Sequence, residues 1–236
     1  MWSGPRNLST AMMYSFGARS DFAVWDEPFY APYLAETGAD HPMRDQIIAA
    51  HESDAAKVAA RCAGPIPDGK PHFYMKHMPH HMVDGFPLDW AKDCVNIHLI
   101  RHPARVIASY GAKRDQITAD DLGFRQQVEI YKALGGIVID SSDIRADPEA
   151  MLRKLCAAID LPFEPAMLSW EAGGRPEDGI WADHWYGAIH KSTEFLSAEG
   201  SIPILEPNTQ NLFDEAFDHY SALKNLSARQ IQSDTR

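Results

Sequence analysis

The sequence predicts an α/β fold, a central parallel sheet with helices on both faces, on three observations. Residues 22–25 (FAVW), 72–75 (HFYM), 94–100 (CVNIHLI) and 135–140 (GGIVID) are short apolar runs rich in β-branched and aromatic residues, the pattern of strands buried on both faces. Segments between them carry apolar residues at three-to-four spacing, the period of a helix. A chain of 236 residues with 45% hydrophobic content can bury one core of that kind, so residues 1–225 are expected to form a single domain.

Taken in order, the chain opens WSGPRNLSTAMMYSF, a turn at Gly4, Pro5 and Arg6 entering a helix over 9–19. The strand feeding that turn is reduced to Met1 and Trp2, so either the sheet starts with a stub or the natural start lies upstream. After the strand at 22–25, apolar spacing predicts a helix over 44–60. Pro and Gly at 64–71 (GPIPDGKP) then mark a loop before the strand at 72–75. The strand at 94–100 is followed by helical patterns at 103–112 and 122–134, and the strand at 135–140 by one at 148–159. Residues 173–179 (GGRPEDG) read as a loop. Trp181, Trp185 and Ile189 fall at helical spacing, which fits a core helix or a homodimer contact, or the wall of an acceptor pocket. The polar residues 226–236 read as a frayed tail.

Composition narrows the function. A formal net charge of -11 opposes a nucleic-acid or anionic-membrane partner, whose surfaces attract basic patches. Cys62, Cys94 and Cys156 are odd in number and form no close pair, suggesting neither a disulfide framework nor a thiolate metal site. No apolar run reaches the ~18–20 residues that cross a bilayer, and no leader pattern opens the chain. A cytoplasmic protein acting on a small molecule is the expectation.

Parallel sheets bind ligands beyond the carboxyl ends of their strands, and two segments there carry candidate anion sites. In the first, Arg6 precedes a helix N-terminus, whose free N–H groups and partial positive charge attract anions; Ser9 and Thr10 would touch the anion or simply cap the helix. The triphosphate-loop pattern GxxxxGK[ST] is absent. In the second, IHLIRHPARVIASY at 97–110, Arg101 closes a strand and Ser109 lies on the following helix. An NTPase would favour Asp at that strand end for magnesium; a cation there meets an anion, either a ligand or a neighbouring carboxylate.

With these residues the chain resembles the sulfotransferase family. Its first loop, P-[KR]-S-G-T-T, is matched by Pro5, Arg6, Asn7, Leu8, Ser9 and Thr10, with Asn7 and Leu8 departing; its second, an Arg closing a strand with Ser eight positions later, by Arg101 and Ser109. The stretch IDSSDIRADPEAMLRKLCAAIDLPF at 139–163 looks like the family's later strand, acidic loop and helix. The resemblance implies a three-layer α/β/α fold of the P-loop nucleoside triphosphate hydrolase type, and the sulfuryl donor 3'-phosphoadenosine 5'-phosphosulfate. It further implies that Arg6 and residues 7–10 grip the 5'-phosphosulfate while Arg101 and Ser109 hold the 3'-phosphate. The family's late RKG-type loop has no clear match, and Lys191 in HKST is the candidate substitute. The adenine-stacking aromatic is replaced by Ala11.

Sulfuryl transfer needs a base and a cation. Glu27, in VWDEPFY, lies where some family members place a catalytic glutamate, with Asp26 its rival and a loop carboxylate or helix cap the plain alternative. In YMKHMPHHM, Lys76 would neutralise the leaving phosphate or the sulfuryl oxygens, and His77 is the alternative base. His80 and His81 read as a solvated, partly packed loop, with no metal expected. The competing functions are a P-loop phosphotransferase or kinase-like enzyme using an NTP and magnesium, and a non-catalytic member of the fold binding a nucleotide or a partner.

Overall fold

The computed structural model describes residues 1–112 and 117–233, with side chains at the C-terminal end to residue 227. Its strands are β1 (Trp2–Ser3), β2 (Phe22–Asp26), β3 (His72–Lys76), β4 (Ile97–Ile100) and β5 (Ile137–Asp140). Its helices are α1 (Ser9–Gly17), α2 (Tyr30–Thr37), α3 (Arg44–Ala50), α4 (Ala55–Cys62), α5 (Pro103–Gly111), α6 (Ala119–Leu122), α7 (Phe124–Leu134), α8 (Ser141–Ala146), α9 (Pro148–Ala158), α10 (Ala182–Trp185) and α11 (Gln210–Ser233). Every strand pairing is parallel: β1 with β4, β4 with β5, and β2 with β3. A parallel bridge between Trp2 and His77 joins β1 to the chain leaving β3, with the Ser3 N–H donating to the His77 carbonyl at 3.0 Å. The resulting order is β2-β3-β1-β4-β5.

Successive side chains of a strand point to opposite faces, and β4 and β5 show what each face buries. Ile97, Leu99 and Ile139 join Met12, Tyr14 and Phe16 of α1 and Leu152 and Leu155 of α9. Ile100 and Val138 join Val106 and Ile107 of α5, Val128 of α7, and Tyr220 and Leu223 of α11. Helices therefore cover both faces, and the strand ends carrying Asp26, Lys76, Arg101 and Asp140 lie on one edge of a parallel sheet. Among the described residues no helix is long and apolar enough to cross a membrane.

Several helical expectations needed correction. The pattern at 44–60 divides into α3 and α4, because His51 is extended and the Asp54 carboxylate caps α4 through the N–H groups of Ala56 and Lys57. The pattern at 122–134 breaks at Gly123, whose φ of 70° ends α6 and starts α7. Residues 226–233, expected as tail, continue α11, whose Leu226 packs on the α5–α7 cluster and whose Ser227 is buried; the tail's remaining residues, 234–236, lie outside the described residues. The 181–195 stretch is a four-residue helix followed by a tight turn at Ile189–Lys191.

Candidate functional site

The loop after β1 is held in a conformation most side chains avoid. Arg6 and Leu8 have φ of 61° and 76°, left-handed values that cost ~1–2 kcal/mol each in a residue with a Cβ, and such outliers cluster where ligands are held. Leu8 is the N-cap of α1 and supplies no side-chain cap, so neither Ser9 nor Thr10 serves as the N-cap. Asn7 is buried, donating to the Leu99 carbonyl at 3.4 Å, and its Oδ1 has no hydrogen-bond partner. Gly4 lets the loop approach the α6 end: a Cβ there would sit 2.7 Å from the Leu122 carbonyl oxygen. Gly4→Ala is expected to cost about 1–3 kcal/mol, as overpacking does, read as a lower urea midpoint at unchanged slope. An unchanged midpoint would show that the loop yields.

The Arg6 Nε donates to Ser109 Oγ at 3.0 Å, and the Arg101 Nη1 donates to the Arg6 carbonyl at 2.6 Å. The two sequence segments thus converge. Among the described residues Arg6 has no carboxylate within 4.0 Å. Burial, and then the neighbouring charge of Arg101, lower its pKa. A half-buried guanidinium that meets another cation and no carboxylate is poised for an external anion. Arg101 differs: it pairs with Glu199, as do Arg105 and Arg145.

At the ends of β2 and β3 sits a buried ionic cluster. The Lys76 Nζ donates to Asp26 Oδ1 at 2.8 Å, to Glu27 Oε1 at 2.6 Å, and to the Tyr186 hydroxyl. Tyr186 Oη lies 2.7 Å from Asp26 Oδ2, and Trp181 Nε1 donates to the same oxygen at 3.1 Å. With Nζ fully buried and its three donors engaged, Lys76 is fixed to Glu27 and does not reach the cavity. The ammonium expected to meet sulfuryl oxygens meets Asp26, Glu27 and Tyr186 instead. Glu27 has φ of 41°. Burial raises its pKa, against the attraction of Lys76 and with help from Asp26. Its Oε2 lies 3.9 Å from His81 Nδ1.

A cavity of about 330 Å³ is lined by Arg6, Asn7, Leu8, Ser9, Thr10, Glu27, Arg101 and Ser109, together with Tyr30, His81, Arg145, Trp185 and Tyr186. Eight sequence candidates meet there. Three do not. Lys76 is behind Glu27. His77 stacks on Trp2 at 4.7 Å and packs near Trp90 and Phe29, which bury it among rings away from the cavity. Lys191 is exposed at the end of the 189–191 turn, and its neighbour Ser192 faces the cavity instead. His80 and His81, expected in a solvated and only partly packed loop, are buried because the turn at Pro79–His81 tucks under α2, where His81 stacks on Tyr30 at 4.4 Å. Among the described residues no group of three or more His, Cys, Asp or Glu is placed to hold a metal. Tyr186, Arg145 and Glu199 were missed; Arg145 stood in the 139–163 stretch with no role attached.

Comparison with known proteins adds the family. A family model described as "Sulfotransferase domain" matches residues 1–227. Two relatives from Arabidopsis thaliana, "Branched-chain-amino-acid aminotransferase-like protein 2" and "Branched-chain-amino-acid aminotransferase-like protein 1", are 39% identical over 228 residues and 35% over 231, each alignment covering 94% of this chain. The chain spans 40% and 41% of their lengths. Among solved structures, the "Sulfotransferase Domain from the Curacin Biosynthetic Pathway" aligns over 91% of this chain and 95% of its own, at 15% identity and a TM-score of 0.49. The "Sulfotransferase Domain from the Synechococcus PCC 7002 Olefin Synthase" aligns over 91% and 92%, at 18% identity and 0.48.

Proposed function

Because the chain belongs to the sulfotransferase-domain family, we propose that it transfers a sulfuryl group from 3'-phosphoadenosine 5'-phosphosulfate to a hydroxyl or amine of a small acceptor. The fold is then the three-layer P-loop type. The observation that carries the reading is the one cavity lined by the Arg6 loop, Arg101, Ser109 and Glu27: two arginines and a carboxylate face one space. The residues suit a doubly anionic nucleotide, since Arg6 is a half-buried cation without a carboxylate partner among the described residues. Arg6, the backbone of 7–10 and the Ser9 and Thr10 hydroxyls would hold the 5' end; Arg101 and Ser109 would hold the 3'-phosphate.

In this reading Glu27 takes the proton from the acceptor as its oxygen or nitrogen attacks sulfur and the bond to the bridging phosphate oxygen breaks. Oε1 is anchored by Lys76 and Tyr186, leaving Oε2 to accept. Arg6 offsets the negative charge that spreads over the transferred oxygens and the departing phosphate, the kind of electrostatic stabilisation that dominates such transfers. Tyr30, His81 and Trp185 would wall the acceptor side.

The test is ligand-induced stabilisation. 3'-Phosphoadenosine 5'-phosphate at about a hundredfold excess over its Kd is expected to raise Tm by roughly 5–10 °C without magnesium, and ATP with magnesium to leave it unchanged. The reverse ranking would favour the phosphotransferase reading, and no response to either would remove the nucleotide altogether.

A further inference from the structure

We propose that Arg101, Arg105 and Arg145 form one phosphate site that this chain's own Glu199 occupies, so that a phosphomonoester dianion binds by displacing the Glu199 carboxylate. The proposal deepens the donor-binding reading and rests on it for the identity of the nucleotide, though not for the chemistry of the site. Arg101 Nε donates to Glu199 Oε1 at 2.9 Å, Arg145 Nη1 donates to the same oxygen at 2.9 Å, and Arg105 Nε lies 3.0 Å from Oε2. The carboxylate is 4% exposed and the three arginine side chains 14–16%. Three guanidinium groups meeting one carboxylate leave positive charge in excess. A phosphate dianion, with an additional charge and more acceptor oxygens, matches that set better than a carboxylate. Arg101 and Arg145 both line the cavity beside Ser109, so the site opens toward the proposed nucleotide.

The stretch from 196 to 204 that carries Glu199 is held at the cluster by polar contacts alone: besides the carboxylate, the Ser197 carbonyl accepts from Arg145 Nε at 2.8 Å and the Gly200 carbonyl accepts from Arg105. Between Phe195, buried in the α1–α9 cluster, and Leu205, packed on the α5–α11 cluster, its large aliphatic side chains are not buried, Leu196 being 56% exposed, Ile202 47% and Ile204 100%. No apolar packing at these positions opposes release, and the arginine donors that the segment frees are taken up by the incoming phosphate oxygens. Glu199 thus acts as a competing internal ligand, and the fraction of time it occupies the cluster lowers apparent phosphate affinity by that fraction.

Isothermal titration with inorganic phosphate and with 3'-phosphoadenosine 5'-phosphate, on the full chain and its Glu199→Gln form, tests the idea. If Glu199 fills the site nine-tenths of the time, both probes bind the variant about tenfold more tightly, and adding Arg145→Met removes the gain. In the unmodified chain, amide exchange at 197–201 should speed up when either probe saturates, a readout that does not depend on the variant's folding. Tighter phosphate binding with faster exchange, but no affinity for the nucleotide, would keep the site and discard the donor. Nucleotide binding with unchanged or weakened phosphate affinity in the variant, or unchanged exchange at 197–201, would overturn the displacement while leaving the donor reading intact.

Discussion

Replacing Lys76 with Met is expected to lower stability by about 3–5 kcal/mol, the usual cost of removing one partner from a buried ion pair. The side chains of Lys76 and Asp26 are fully buried and that of Glu27 is 6% exposed, so little water can solvate the carboxylates once the ammonium is gone. Lys76 now offsets two adjacent carboxylates; without it, one must bind a proton or both must remain charged against each other. Domains of this size hold only about 5–15 kcal/mol in total, so the variant should unfold at much lower urea. Adding Asp26→Asn to Lys76→Met should restore part of the loss, because it removes one stranded charge, although Asp26 Oδ2 also receives Trp181 Nε1. A single-variant loss under ~1 kcal/mol would mean that the cluster is open to water and that Lys76 does not fix Glu27.

That cluster shows where sequence reading ran out. The strands were legible because sheets buried on both faces need continuous apolar runs, and β2 to β5 fall within or beside the runs at 22–25, 72–75, 94–100 and 135–140. The cation Arg101 was legible for a related reason, since a charge directly after an apolar strand stands out; Arg6 was legible from the turn that precedes a helix N-terminus. Burial was not. Lys76 looked like a free cation beside the cavity, and only the fold brings it against Tyr186, 110 residues away. Glu199 reaches Arg101 across 98 residues and Arg145 across 54, with no local pattern to announce either contact. Helix α2 was overlooked although Pro32 sits early in it, where the missing N–H costs nothing, and the break at His51 was invisible because apolar spacing continues through it.

Changing Glu27 to Gln should reduce turnover by about 10²–10⁴-fold, the contribution typical of a positioned general base, while the affinity for 3'-phosphoadenosine 5'-phosphate stays as it was. Gln keeps an oxygen for Lys76 and Tyr186 to hold, so the anchor survives; what disappears is a carboxylate oxygen able to take a proton. The pH profile gives the separate signature. A base works only when deprotonated, so kcat/KM climbs with pH through its pKa. Burial raises that pKa above the ordinary carboxylate value of 4.5, which puts the acid limb above pH 4.5, and the limb should vanish in the variant. A merely structural Glu27 would leave the limb in place, with any loss appearing as weaker binding or lower stability. Retention of full turnover would move the base to another group on the same wall, and His81, 3.9 Å from Oε2 and kept neutral chiefly by burial, is then the residue to replace next.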